Sequence, residues 1–141
     1  MARVTTKITR KPRTASVIKG YEGNLRALVG RAGNLVRNTA VQSINQGAKS
    51  GVTYQLYNPR RTHTASSAGQ PPATDTGFLV NNIVLDVDAN GLGANVESRA
   101  DYSQALEFGT SKMAARPFMQ PALEENKPKI NRLAKQMIKA K

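Results

Sequence analysis

Residues 102–121 read YSQALEFGTSKMAARPFMQP, and how this stretch folds decides how the rest of the chain is arranged. Tyr102, Leu106 and Phe108 place bulky apolar groups on a short segment, and Gly109 breaks it. A basic turn follows, after which Arg116-Pro117-Phe118 opens another element. A tight break between two apolar anchors fixes how two pieces of secondary structure meet. Glu107 lies between Leu106 and Phe108, where a carboxylate is partly desolvated and needs partners. The backbone N–H groups of Gly109, Thr110 and Ser111, or the Arg116 guanidinium, are the nearest in sequence. The stretch therefore reads as a structural clasp, not a catalytic loop.

Downstream, Pro117 suits the first position of a helical turn, and Pro121 is placed to start a longer C-terminal helix in the same way. Leu123, Ile130, Leu133, Met137 and Ile138 give that helix its apolar stripe. Pro128 removes a backbone donor inside it, which predicts a kink or restart.

Upstream, Ile83, Leu85 and Val87 alternate with Val84, Asp86 and Asp88, the pattern of a half-buried strand. Ala89-Asn90-Gly91 supplies a turn, and residues 92–98 pair back as a second strand. Before the hairpin, Asp75-Thr76-Gly77 is expected to cap a helical turn through Phe78 and Leu79, with the Asp75 carboxylate as acceptor. Residues 48–74, rich in Pro, Gly, Ser and Thr and carrying Arg60-Arg61, predict an extended contact loop within the domain. A short strand at 52–56, or a loose hairpin, is the structure this loop could hold.

A helical period runs from about Tyr21 through Leu25, Leu28, Ala32, Leu35, Val36, Thr39 and Ile44, and stops near Gln46-Gly47. Gly23, Gly30 and Gly33 weaken this helix unless they allow close approach to a neighbour. Residues 1–16 read as a flexible basic arm. The expected fold is α+β: a long N-terminal amphipathic helix and a C-terminal helix packed on a small antiparallel sheet, as one domain over 17–141 with residues 48–74 projecting.

With 141 residues the chain can bury a core, and its hydrophobic fraction is a modest 39%. No apolar run reaches the roughly 18 residues of a membrane span, so no membrane partner is expected. There is no cysteine, which removes disulfides and thiolate metal sites. The net charge of +12 comes largely from the two ends, with Arg3, Lys7, Arg10, Lys11 and Arg13 at the first. Together with Arg60 and Arg61 these are the candidate contacts to a polyanion or an acidic partner.

Catalytic chemistry finds no constellation. His63 is the only histidine, and general-base work needs a positioned partner. Asp86 and Asp88 alone make a poor cation site and read as a solvent-facing strand edge. Gly91-Leu92-Gly93 lacks a phosphate-loop pattern. Glu107 and Arg116 suit a structural ion pair, since no nucleophile lies near them. No enzyme, cofactor or metal site is expected.

The ordered motifs resemble a known family, the minor tail-component or tail-completion proteins at the head–tail junction of long-tailed bacteriophages. The resemblance rests on Asp75, Thr76, Gly77 and Leu79, then Tyr102, Glu107, Phe108, Gly109 and Thr110, then Ala115, Arg116, Pro117, Phe118, Pro121 and Ala122. It covers the second half strongly and the first helix only by type. Asn81-Asn82, where a Ser often precedes the Ile, and Pro128 depart from the family pattern. The resemblance implies a non-enzymatic virion protein, assembled in the host cytoplasm, that forms a six-fold ring in the neck. Its partners would be its own copies, neighbouring neck and tail-tube or tail-terminator proteins, and double-stranded DNA passing through the lumen. The alternative is a basic DNA-binding protein that acts outside a ring.

Overall fold

The computed structural model describes residues 12–139, so Arg3, Lys7, Arg10 and Lys11 lie outside the described residues. The fold is α+β, with four helices and two two-stranded antiparallel sheets among the described residues. In order these are α1 (Pro12–Asn45), β1 (Thr53–Tyr57), β2 (Arg60–Thr64), α2 (Phe78–Asn81), β3 (Ile83–Val87), β4 (Ala94–Ser98), α3 (Ser103–Phe108) and α4 (Met119–Lys139).

The first helix starts earlier than its apolar period suggests. Among the described residues it runs from Pro12, so residues 12–16, Arg13 included, are helical, while residues 1–11 of the expected arm lie outside the described residues. The apolar period is silent before Tyr21, and residues 17–20 of α1 are largely exposed. Even Leu25, counted on the expected stripe, is half exposed. At the other end, Gln46 donates its N–H to Gln42 O (2.8 Å) and the helix stops. Gly47 is not left-handed, so it does not close the helix as a glycine cap.

Helices α1 and α4 pack antiparallel along their lengths. Asn24 Nδ2 donates to Met137 O near one end of the seam (3.3 Å), and Asn126 Nδ2 donates to Thr39 Oγ1 further along it (2.8 Å). Beside that seam Val36, Ala40 and Ile44 meet Leu79, Ile83, Ala100, Phe118 and Ala122 in the core. Burying a side chain of Phe118's or Ile44's size is worth about 1.5–3 kcal/mol.

The β3–β4 hairpin lies on the flank of α1, its register running from Ile83 opposite Ser98 to Val87 opposite Ala94. Gly33 lets it come close, since a Cβ there would strike the Leu85 side chain at 2.5 Å. Gly23 and Gly30 face open space and serve no such approach. Two arginines of α1 stitch the hairpin down: Arg37 Nε donates to Ile83 O and Arg26 Nε to Asn90 O, each at 2.9 Å. The expected alternation holds at the root, where Ile83 is buried, and fades at the tip, where Val87 is exposed beside Asp86 and Asp88. Helix α1, more than α4, covers this sheet.

Residues 48–74 are more ordered than an extended loop. Strands β1 and β2 pair over five positions, from Thr53 opposite Thr64 to Tyr57 opposite Arg60, around a cis Asn58–Pro59 peptide. The loose hairpin is thus the form this segment takes; the sequence does not place its second strand because Arg60-Arg61-Thr62-His63-Thr64 has no apolar alternation. Neither strand packs extensively on another element.

Pro128 neither ends nor restarts α4, which runs unbroken from Met119 to Lys139. No described helix is long and apolar enough to cross a membrane.

Candidate functional site

The motif residues gather where α3, the turn after it and the start of α4 meet. Helix α3 ends on Gly109, which has φ 76° and ψ 176°. A Cβ at that position would lie 2.9 Å from both Ala115 N and Met113 O, so the crossing leaves room only for glycine. Thr110 and Met113 then exchange N–H···O bonds of 2.8 and 3.3 Å, closing the turn. Arg116 N–H returns to Leu106 O at 2.6 Å and brings the chain back beside α3.

This closure delivers the start of α4 to Glu107. Its Oε2 accepts from Phe118 N (2.9 Å) and Met119 N (3.0 Å), and its Oε1 accepts from Gln120 N (2.9 Å). The expected partners, the N–H groups of Gly109, Thr110 and Ser111 or the Arg116 guanidinium, are therefore replaced by the end of a helix. A carboxylate there satisfies donors that have no intrahelical acceptor and lies on the positive end of the helix dipole. The proline placements shift accordingly. Pro117 precedes the helix, whose first residue is Met119, and Pro121 is its third residue.

The apolar members of the motif divide between inside and outside. Phe118 is 1% exposed and is the largest fully buried side chain. Phe108, expected as an anchor, is 77% exposed, because the break at Gly109 turns it away from the core. It borders an open, mostly apolar groove of about 850 Å³, lined by Val29 and Val36 of α1, Val96 of β4, and Met119, Leu123 and Ile130 of α4. Leu123, placed by sequence on the buried stripe of α4, is exposed on that groove.

The Asp75-Thr76-Gly77 turn holds the other hairpin. Asp75 does not cap α2. Its carboxylate takes a two-pronged bond from Arg61 of β2, Nε to Oδ1 at 3.0 Å and Nη2 to Oδ2 at 2.8 Å. Phe78 N–H finds Thr76 Oγ1 only at 3.4 Å, and Gly77, at φ 79°, makes the turn. Hydrogen bonding to Arg61 holds the Asp75 carboxyl below its ordinary range, outweighing the opposing cost of burial, with the charges of Arg61 and His63 adding to the effect. His63 Nδ1 stands 3.8 Å from Asp75 Oδ1. Tyr102, on the same side, meets the Phe78 ring at 6.1 Å, and burial with the nearby Asp75 charge pushes its phenol upward.

Between this turn and the clasp lies a cavity of about 230 Å³, lined among others by His63, Ser66, Asp75, Tyr102, Leu106 and Arg116. Arg116 Nε and Ser66 Oγ are buried without a protein partner, so the expected Glu107–Arg116 ion pair is not formed. Gly69 N–H donates to Ala115 O (2.9 Å), tying the segment after β2 to the clasp. Arg60 stays exposed and makes no ion pair with the described residues, while Arg61 is committed to Asp75. No group of three or more His, Asp or Glu side chains is arranged to hold a metal among the described residues.

Sequence reasoning missed Asn126, which is fully buried. Its Nδ2 donates to Ala122 O (2.7 Å) as well as to Thr39 Oγ1, joining α4 to α1. An asparagine among charged residues looks like part of a solvated face. The available clue was its spacing, four residues from Ala122 and from Ile130 on the inner stripe.

No protein-family model matches the chain, no curated protein matches it, and no solved structure matches it.

Proposed function

We propose that this chain is a structural subunit of a bacteriophage neck, in which copies form a ring that completes the tail, joins it to the head and leaves a lumen for DNA. The reading starts from the ordered motifs of residues 75–79 and 102–122. The observation that carries it is the division of labour within them. Glu107, Gly109 and Phe118 build a clasp, while Phe108 is left standing in solvent beside an apolar groove. Large apolar side chains next to apolar concavities mark association surfaces, and a subunit that works by assembly needs such a surface. The polar residues of the motifs have mechanical partners: Glu107 holds a helix end and Asp75 holds Arg61.

The net charge of +12 favours a second reading, a DNA-binding protein that works without a ring. Negative-stain imaging of the purified protein, alone and mixed with tails, separates the two. Rings, or added density at the head-proximal end of tails, support the neck subunit. Single particles that leave tails unchanged but bind DNA with a steep loss of affinity in salt support the second reading.

A further inference from the structure

Charge is segregated on this molecule. Residues 83–101 hold Asp86, Asp88, Glu97 and Asp101, four of the nine acids, against one base, Arg99. Arg99 bridges Asp86 and Glu97 at 2.8 and 2.9 Å, which leaves the exposed Asp88 without an ion pair among the described residues. Val87 and Leu92, both half exposed, give this hairpin tip an apolar component. The β1–β2 hairpin is the opposite: residues 49–63 carry Lys49, Arg60 and Arg61 and no acid. Arg60 is directly opposite Tyr57, whose side chain is 78% exposed.

The two surfaces do not pack on each other within one chain: β1 and β2 pack extensively only on each other, and Arg60 and Asp88 form no ion pair among the described residues. The acidic tip is pinned at Arg26 through Asn90, and the basic hairpin follows the end of α1 at Asn45, about 28 Å further along the helix. Surfaces that complement each other but lie at different places on a subunit make head-to-tail contacts, which close into rings when the rotation allows.

We propose that the β1–β2 hairpin of one copy docks on the β3–β4 tip of the next, setting Arg60 against Asp88 and Tyr57 against Val87 and Leu92. This rests on the ring reading and names the contact that closes it. Tyr and Arg are the residues that most often carry the energy of such contacts. The hairpin, which packs extensively on no other strand or helix and is held at Arg61 by Asp75, would gain a surface to pack on.

Charge reversal tests it, with assembly followed by native mass spectrometry across protein concentration. Arg60→Glu alone and Asp88→Arg alone should each raise the concentration needed for half-assembly by about tenfold or more, since each sets like charges together. An equimolar mixture of the two variants should restore assembly, as alternating rings of even number, because each defective surface then meets a complementary one. Recovery on mixing also proves both variants folded. Rings that form unchanged in both variants would overturn the contact and leave the ring standing. Loss in both with no recovery on mixing overturns the pairing of these two surfaces. A wild-type chain that stays monomeric at every concentration overturns the ring and the contact together.

Discussion

Glu107 and Pro121 together leave no unbonded N–H at the start of α4. The Glu107 carboxylate accepts from Phe118, Met119 and Gln120, and Pro121, next in line, has no N–H to offer. Four positions at a helix N-terminus lack intrahelical acceptors, and here two side chains from separate elements account for all of them. Glu107→Ala strands three donors and removes a charge from the helix end. It should destabilise the fold by about 2–4 kcal/mol, at the upper end of cap and charged hydrogen-bond losses. Glu107→Gln, which keeps an acceptor, should lose less. Urea denaturation midpoints of the three proteins check the order, and equal midpoints would remove the clasp.

Two glycines should respond to alanine with opposite sign. Gly109 sits at φ 76° with backbone atoms 2.9 Å from a would-be Cβ, so Gly109→Ala should cost about 1–3 kcal/mol. Gly30 lies in α1 facing open space, so Gly30→Ala should stabilise by about 0.5–1 kcal/mol through helix propensity. Thermal melts of both variants beside the wild type are sufficient.

Asn126 is buried among acceptors: Ala122 O and Thr39 Oγ1, with Leu35 O at 3.5 Å. Asn126→Asp sets a carboxylate against them and should be the worst substitution at neutral pH, costing more than Asn126→Ala, itself about 1–3 kcal/mol. Acidification, which neutralises the new carboxyl, should narrow the gap between the two variants. A gap that is the same at pH 4.5 and pH 7.5 would mean that the site is wetter than its burial indicates.

The Asp75–Arg61 bond makes a pH-dependent contribution of definite sign. Arg61 places the folded-state value of Asp75 below that of the unfolded chain. The stability it confers is therefore fully present above the ordinary carboxylate range and is lost as pH falls through the depressed folded value. The difference between wild type and Asp75→Asn should be constant near neutrality and disappear in acid. A difference that grows on acidification would contradict the assignment.

Legibility from sequence follows how strongly each element is patterned by burial. The β3–β4 hairpin was readable because Ile83, Leu85 and Val87 alternate ahead of a glycine turn, and α4 because its stripe begins at an unmistakable proline-phenylalanine turn. The clasp was readable as a clasp, yet its partner was not. Glu107 bonds donors 11–13 residues away, which only the Gly109 crossing brings close. Strand β2 was hard to place because its side chains are polar on both faces; besides the backbone ladder, Thr53 Oγ1 and Thr64 Oγ1 meet across the pair at 2.9 Å. The first turns of α1 were hidden because they precede the apolar stripe, and Asn126 because a buried amide has the composition of a surface one. Phe108 misleads for the opposite reason: a large apolar residue reads as core, while the backbone turns it outward.

That outward turn gives the next expectation. Phe108→Ser should leave the melting temperature nearly unchanged, within the roughly 0.5 kcal/mol typical of surface changes. It should still weaken self-association or tail binding. Phe118→Ser, on the other arm of the same clasp, should instead unfold the protein.

Native mass spectrometry of the wild-type chain, with and without double-stranded DNA, asks whether this protein works by assembling. The expected result is a closed multiple of the 15.2 kDa chain that persists without DNA and dissociates in Phe108→Ser. A 15.2 kDa monomer at all concentrations, gaining mass only with DNA and losing it in salt, would contradict it.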